Sequence, residues 1–234
     1  MLRLQLKRQL ADFALDIDVE CRYPVTAIFG PSGSGKSTLL GLLAGLEEPS
    51  GGSVQLFGKE LSMLSQDEKA ALRAGNVGFV FQTFHLLAGL TAIENVEIAL
   101  ELAGDKHTRL AAADLLDQVG LSERVNHYPS QLSGGEQQRV AVARLIVQDP
   151  LIIIADEPVA SLDPTRAFEI MSLLENITSP SNKTLIAALH SYDLTTQFFE
   201  RVIGLKSGKV SFDMRVDHLT KVDLEKLYSV HPTD

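Results

Sequence analysis

The 234-residue chain sets 21 Lys+Arg against 30 Asp+Glu, a formal net charge of −9, and is 45% hydrophobic and 22% charged. This composition fits a folded globular chain rather than a disordered one, and the acidic balance argues against a large basic nucleic-acid footprint. One Cys allows neither an internal disulfide nor a Cys-based zinc site, so a reducing compartment is the easier fit.

The opening Met1-Leu2-Arg3-Leu4-Gln5-Leu6-Lys7-Arg8 has no apolar h-region and is not a signal peptide. Runs at 2–6, 13–19 and 25–29 predict strands, the last apolar throughout. A Gly-rich loop follows, then a helix over 37–44 and strands at 53–57 and 77–81. From there the pattern becomes helical. Thr91-Ala92-Ile93-Glu94 is a capping box opening a helix that ends near Gly104. A second helix runs over 108–119 and stops at Gly120, and a third follows Ser133-Gly134-Gly135 as far as Gln148. Strands return at 151–155, 184–189, 201–205 and 209–212, the last two joined by a Ser207-Gly208 hairpin turn. Continuous apolar runs at 25–29, 151–155 and 184–189 mark central strands of a largely parallel sheet. The longest apolar stretches, 39–46 and 151–155, fall far short of the ~20 residues that span a bilayer. A soluble, intracellular α/β chain is expected, with 1–81 and 151–234 forming the core and about 82–150 a helical insertion.

Gly30-Pro31-Ser32-Gly33-Ser34-Gly35-Lys36-Ser37 matches G-x-x-x-x-G-K-[ST] between a buried strand and a helix, the context that this motif requires. Its glycines let backbone N–H groups turn toward phosphate oxygens, Lys36 supplies a point charge, and the Ser37 hydroxyl suits Mg²⁺. Thr38 continues the loop into the helix. The apolar run 151–155 ends in Asp156-Glu157, at the end of a strand where open α/β sheets bind ligands. Asp156 fits a Mg²⁺ partner and Glu157 a group that polarises attacking water. Leu132-Ser133-Gly134-Gly135-Glu136-Gln137 is a second Gly-rich helix opening suited to an anion. Two phosphate-grade openings with one acidic pair suggest a head-to-tail dimer, each nucleotide held between one chain's Lys36 loop and the partner's Ser133 loop.

With these motifs the chain resembles the nucleotide-binding subunits of ATP-binding cassette (ABC) transporters over nearly its whole length. The resemblance implies one ABC ATPase domain over 1–234. Its fold would be a P-loop NTPase (RecA-like) core with a mostly parallel sheet, an antiparallel β portion and an inserted helical subdomain. Gly30–Ser37 matches Walker A, Leu132–Gln137 the signature motif and Leu151–Glu157 Walker B. Gln82 matches the Q-loop glutamine, which would touch Mg²⁺ and sense the membrane partner. Ser161-Leu162-Asp163 matches the D-loop that meets the other subunit, and His190 the switch histidine at the γ-phosphate. The implied catalytic set is Glu157, His190 and Gln82, with Ser37, Gln82 and Asp156 on Mg²⁺. ATP would lie against Gly30 through Thr38, together with Ser133, Gly134, Gly135, Glu136 and Asp163.

Gly78 through Val96 is similar to lipoprotein-release and macrolide-export ATPases. The tail from Ala188 to Tyr228 is more like phosphonate importers, and Leu15 through Gly30 like molybdate-type importer subunits. Phe13 or Tyr23 could stack adenine, and each could equally serve core or turn. Val159 stands where Thr or Ser is usual, and Ser191 follows His190 where Asp is common. The implied partners are an integral membrane permease, a second cassette sharing ATP at the interface and, in an importer, a solute-binding protein; no nucleic acid is implied. The implied location is the inner face of the cell membrane, on the cytoplasmic side. Of Phe84, Leu86, Leu87 and Leu90, two are expected to pack inside the helical subdomain; the functional reading is a groove for a short helix of the membrane subunit. One rival is a soluble ABC ATPase of the DNA-repair or translation class, which would carry a coiled-coil insertion or two cassettes. The other is a P-loop small-molecule kinase, which has no use for Leu132–Gln137.

Overall fold

The computed structural model describes residues 2–9, 14–21, 24–81, 85–160, 162–179 and 183–228. They form two compact units, one of residues 1–74, 154–156 and 184–234, the other of 75–153 and 157–183.

The first unit is built on a sheet. Strands β1 (Leu2–Gln9), β2 (Ala14–Cys21), β3 (Val25–Phe29), β4 (Gly51–Leu56) and β5 (Lys59–Glu60) come first in the chain. The last three residues of β7 (Ile152–Asp156), then β8 (Thr184–Leu189), β9 (Arg201–Lys206) and β10 (Lys209–Arg215) complete it. Their order is β5-β4-β1-β2-β10-β9-β3-β8-β7. Strand β3 pairs in parallel with both β8 and β9, whereas β1 pairs antiparallel with β2 and β4.

Burial follows this division. In β8, Leu185 through Leu189 are all buried, as are Thr26 through Phe29 in β3, so these buried runs are apolar at nearly every position, Thr26 being the exception. In β2, Leu15, Ile17 and Val19 are buried while Ala14, Asp16 and Asp18 are exposed, the alternation of a strand with one wet face. Strands β9 and β10 close through Ser207 (φ 47°) and Gly208 (φ 76°), a two-residue turn with both residues left-handed. Across this hairpin the buried Arg201 holds Asp213, Nε donating to Oδ1 at 2.6 Å. Helices α1 (Lys36–Leu43), α2 (Gln66–Arg73), α7 (Tyr192–Phe198) and α8 (Lys221–Tyr228) also belong to this unit.

The second unit is mainly helical: α3 (Ala92–Ala103), α4 (Thr108–Gln118), α5 (Gly134–Gln148) and α6 (Pro164–Thr178), with the short strand β6 (Val77–Val80). The Glu94 carboxylate accepts from Thr91 N at 2.7 Å and Thr91 Oγ1 at 2.6 Å, starting α3 where the sequence predicts it. Gly104 (φ 87°) ends α3 in the left-handed conformation. Helix α5 presses on β6 at Gly78, where a Cβ would stand 2.3 Å from Leu145 Cδ1. This close approach, with the α5–α6 packing, joins β6 and α6 to the helices of this unit.

Asn95 is fully buried and spends its amide on the loop before α3. Its Oδ1 accepts from Leu87 N at 2.8 Å, and its Nδ2 donates to the carbonyls of Leu87, Leu90 and Thr91 at 3.0–3.2 Å. Arg144 Nη1 donates to His85 O at 3.0 Å, fixing the start of the same loop. Among the described residues, no helix is long and apolar enough to cross a membrane.

Candidate functional site

In the first unit, β3 delivers the chain into the Gly30–Ser37 loop. Gly30 has no room for a side chain: a Cβ would lie 2.4 Å from Leu205 O and 2.6 Å from Ser34 Oγ. Ser34 N donates to Pro31 O at 3.1 Å, which closes the loop into a turn. Gly33 (φ 77°) and Gly35 (φ 101°) take left-handed backbone that only glycine adopts readily. Gly35 is the N-cap of α1 and brings no side-chain cap, so this helix opening suits an anion. Lys36 is buried at 5% exposure, with Nζ donating to Gly30 O at 2.8 Å and Pro31 O at 3.2 Å.

Ser34 Oγ is buried without a hydrogen-bond partner among the described residues. A phosphate oxygen supplies an acceptor for such a hydroxyl, so the loop fits a polyphosphate on charge, on backbone donors and on this orphaned group. Ser32, Gly33 and Ser37 are exposed, Pro31 and Thr38 half-buried.

Asp156 closes β7 as Phe29 closes β3 and Leu189 closes β8, and it is half-buried. Its carboxylate and the Ser37 hydroxyl are oxygen donors of the hard kind that Mg²⁺ takes. His190 follows β8 directly, exposed, with its ring edge-on to Phe29 at 6.4 Å between centroids. The histidine therefore leans on the residue that leads into Gly30. Ser191 caps α7, its Oγ accepting from Leu194 N at 3.3 Å. Asp is an equally good N-cap, which explains why Ser stands here without disturbing the helix.

In the second unit, Ser133 is the N-cap of α5 in a reciprocal capping box. Its Oγ accepts from Glu136 N at 3.3 Å, and Ser133 N donates to Glu136 Oε2 at 2.7 Å. That backbone bond, helped by the Ser133 hydroxyl and by Arg124, holds the Glu136 carboxyl below the ordinary carboxylate value. Arg124 Nε donates to Glu136 Oε1 at 3.3 Å. Ser133 is exposed, Gly134 half-buried and Gly135 buried; a Cβ on Gly135 would stand 3.3 Å from Arg166 Cδ and 3.5 Å from Leu162 Cδ2. Ser133 Oγ accepts from the helix through a lone pair while its proton serves the Glu136 carboxylate, so an incoming anion would compete with Glu136 for that proton.

Glu157 is half-buried in left-handed backbone (φ 49°), unusual for a residue with a Cβ, and opens a turn in which Ala160 N donates to its carbonyl at 3.2 Å. Val159 O accepts from Leu162 N at 3.2 Å. Asp163 is exposed and caps α6, Oδ1 accepting from Arg166 N at 3.2 Å ahead of Pro164. Gln82, Ser161, Phe84 and the two adenine-stacking candidates Phe13 and Tyr23 lie outside the described residues. Leu87 is 44% exposed, while Leu86 and Leu90 are half-buried.

Three features carried no motif signal. They are the Asn95 network under the 87–91 loop, the Arg124–Glu136 pair, and a contact of the β9–β10 turn with the phosphate loop. Only the Ser-Gly dipeptide of that turn stands out in sequence, and it announces a turn rather than a partner.

Comparison with known proteins gives the family and the fold. The model of a family described as ABC transporter matches residues 16–160. The macrolide export ATP-binding/permease protein MacB of Chlorobaculum tepidum is 45% identical over 190 residues, 81% of this chain. The chain spans only 29% of that exporter's length. The lipoprotein-releasing system ATP-binding protein LolD 2 of Caulobacter vibrioides is 41% identical over 83% of this chain and 85% of its own length. Among solved structures, a dimeric ATP-binding cassette, MJ0796, in a post-hydrolysis state with ADP and Pi superposes with a TM-score of 0.83. It shares 34% identity and covers 92% of this chain and 99% of its own. CbiO1 of Clostridium perfringens, described as part of an ABC transporter complex, gives 0.80 at 29% identity, covering 97% of this chain and 92% of its own.

Proposed function

The chain belongs to the ABC transporter family as an ATP-binding, ATP-hydrolysing cassette, and on that premise we propose that it drives a separate membrane permease through closure and opening of a head-to-tail cassette pair. The observation that carries the proposal is the contrast between two helix openings. The α1 opening has a buried Lys36 and no side-chain cap; the α5 opening is capped by Ser133, whose exposed hydroxyl can turn from Glu136 to a phosphate acceptor.

In this reading the α1 amides, Lys36 and the Ser34 hydroxyl take the phosphates of ATP from one side. Ser133 of the second cassette donates to the γ-phosphate from the other, with Gly134 and Gly135 giving backbone close approach and Glu136 reaching the same nucleotide. Ser37 and Asp156, with Gln82, would hold Mg²⁺, which supplies charge neutralisation at the β- and γ-oxygens. Glu157 orients the attacking water and accepts its proton, His190 contacts the γ-phosphate, and Asp163 meets the second cassette. Loss of the γ-phosphate removes the shared anion, and the pair opens.

The permease partner rests on the transporter relatives and on the 85–90 loop, where exposed Leu87 lies on a segment anchored by Asn95 and Arg144. Such a partner would hold the cassette at the cytoplasmic face of the membrane, and an import system would add a solute-binding protein. Glu157→Gln with saturating MgATP should bind nucleotide, hydrolyse almost none and double in mass by light scattering. A variant that binds ATP and stays monomeric would overturn the shared-site reading.

A further inference from the structure

The turn between β9 and β10 reaches the phosphate loop at two places. Gly208 N donates to Ser34 O at 3.1 Å, in the middle of the loop. One strand end earlier, Leu205 O lies so close to Gly30 that a Cβ there would sit 2.4 Å from it. Gly208 also looks the other way: its carbonyl accepts from Asp16 N at 2.9 Å, beside Lys209↔Asp16, the pair that joins β10 to β2. One buried glycine thus ties the antiparallel portion of the sheet to the loop that carries Ser34.

This tie depends on backbone shape. Ser207 and Gly208 are consecutive left-handed residues, at φ 47° and 76°. Closing a hairpin requires such a turn, but it does not require the Gly208 N–H to end on the phosphate loop. The Ser34 carbonyl bond has a further consequence. With Ser34 N bound to Pro31 O and Ser34 O bound to Gly208 N, both backbone groups of Ser34 are fixed, and with them the Cα that carries the loop's buried hydroxyl.

We propose that Gly208 is a positioning residue for polyphosphate binding: the β9–β10 turn sets the phosphate loop in its binding shape before ATP arrives. The proposal rests on the ATP-binding reading above and assigns part of that affinity to a turn remote in sequence. A pre-shaped loop binds more tightly because less of the binding energy goes into ordering it.

The test compares Gly208→Val with Gly208→Asn, following KM and kcat for MgATP, competition by inorganic tripolyphosphate, and melting without nucleotide. Val is β-branched and resists left-handed backbone, whereas Asn tolerates it. Gly208→Val should raise KM for MgATP about tenfold, the scale of one displaced hydrogen bond to a charge-binding loop. Its kcat should stay within about twofold, the pattern of lost ground-state binding. Tripolyphosphate should weaken by the same factor as ATP, because the tie acts on the phosphate side. Gly208→Asn should recover most of the affinity. An unchanged KM, or a raised KM with tripolyphosphate binding as in the wild type, would overturn the proposal. If Gly208→Val does not fold, Gly208→Ala is read by the same criteria. A wild-type chain that binds no MgATP would instead refute the parent reading.

Discussion

Helices α1 and α5 both open on Gly-rich loops, and they solve the problem of unsatisfied N-terminal amides in opposite ways. Helix α1 starts at a left-handed Gly35 with no side-chain cap, an opening suited to an outside anion, and Lys36 is buried there. Helix α5 is closed by its own Ser133–Glu136 box. Its box also engages the Ser133 hydroxyl proton, which a ligand would have to draw away from Glu136. The difference suggests a division of labour: the first opening holds the nucleotide, the second reports its γ-phosphate to a partner cassette.

The largest effect should come from the uncapped end. Lys36→Ala removes a buried cation at the phosphate loop and should lower ATP hydrolysis about 100-fold or more, measured as phosphate release. At the capped end, two substitutions separate capping from donation. Ser133→Ala loses both and should cost about 1 kcal/mol of stability together with hydrolysis. Ser133→Asp keeps the cap, since Asp is as good an N-cap as Ser, but has no proton to give at neutral pH. It should melt like the wild type and still fail to hydrolyse ATP; an active Ser133→Asp would break the contrast between the two helices.

Away from both openings, Asn95→Leu keeps the volume and leaves the Leu87 amide unpartnered. It should destabilise the chain by about 2–3 kcal/mol in denaturant unfolding, with faster amide exchange over 85–91. The smallest effect concerns pH. The Glu136 carboxyl is held below its ordinary value near 4.5, chiefly by the Ser133 backbone N–H. A depressed folded-state value means that its stabilisation is present above 4.5 and is lost as pH falls through the folded value. Protection factors of the amides at the start of α5, corrected for the intrinsic pH dependence of exchange, should therefore fall on acidification below pH 4.5, and Glu136→Gln should flatten that dependence.

The sequence made much of this visible where information is local. Strands β3 and β8 begin and end where their Thr-containing but otherwise apolar runs do, and α3 stops at the glycine that ends its pattern. Other elements carried weak signals. Helix α2 is short and mostly polar and buries only Lys69, so it has little apolar period to read, and β5 is two residues long. In the site, linear motifs were legible because a phosphate loop needs its glycines and lysine in a fixed order. The Gly208–Ser34 bond joins residues far apart in the chain, and the four bonds of Asn95 depend on how a loop folds back on α3. No local pattern encodes either.

The central claim is that each nucleotide lies between one chain's Lys36 loop and another chain's Ser133. Mixing Lys36→Ala with Ser133→Ala chains tests it most directly. Each variant alone should be inactive, but a mixed head-to-tail pair rebuilds one intact site from the good Lys36 loop of one chain and the good Ser133 loop of the other. Random pairing should then restore up to about a quarter of wild-type hydrolysis. A mixture that pairs, as measured by light scattering, yet stays as inactive as its components would contradict the claim.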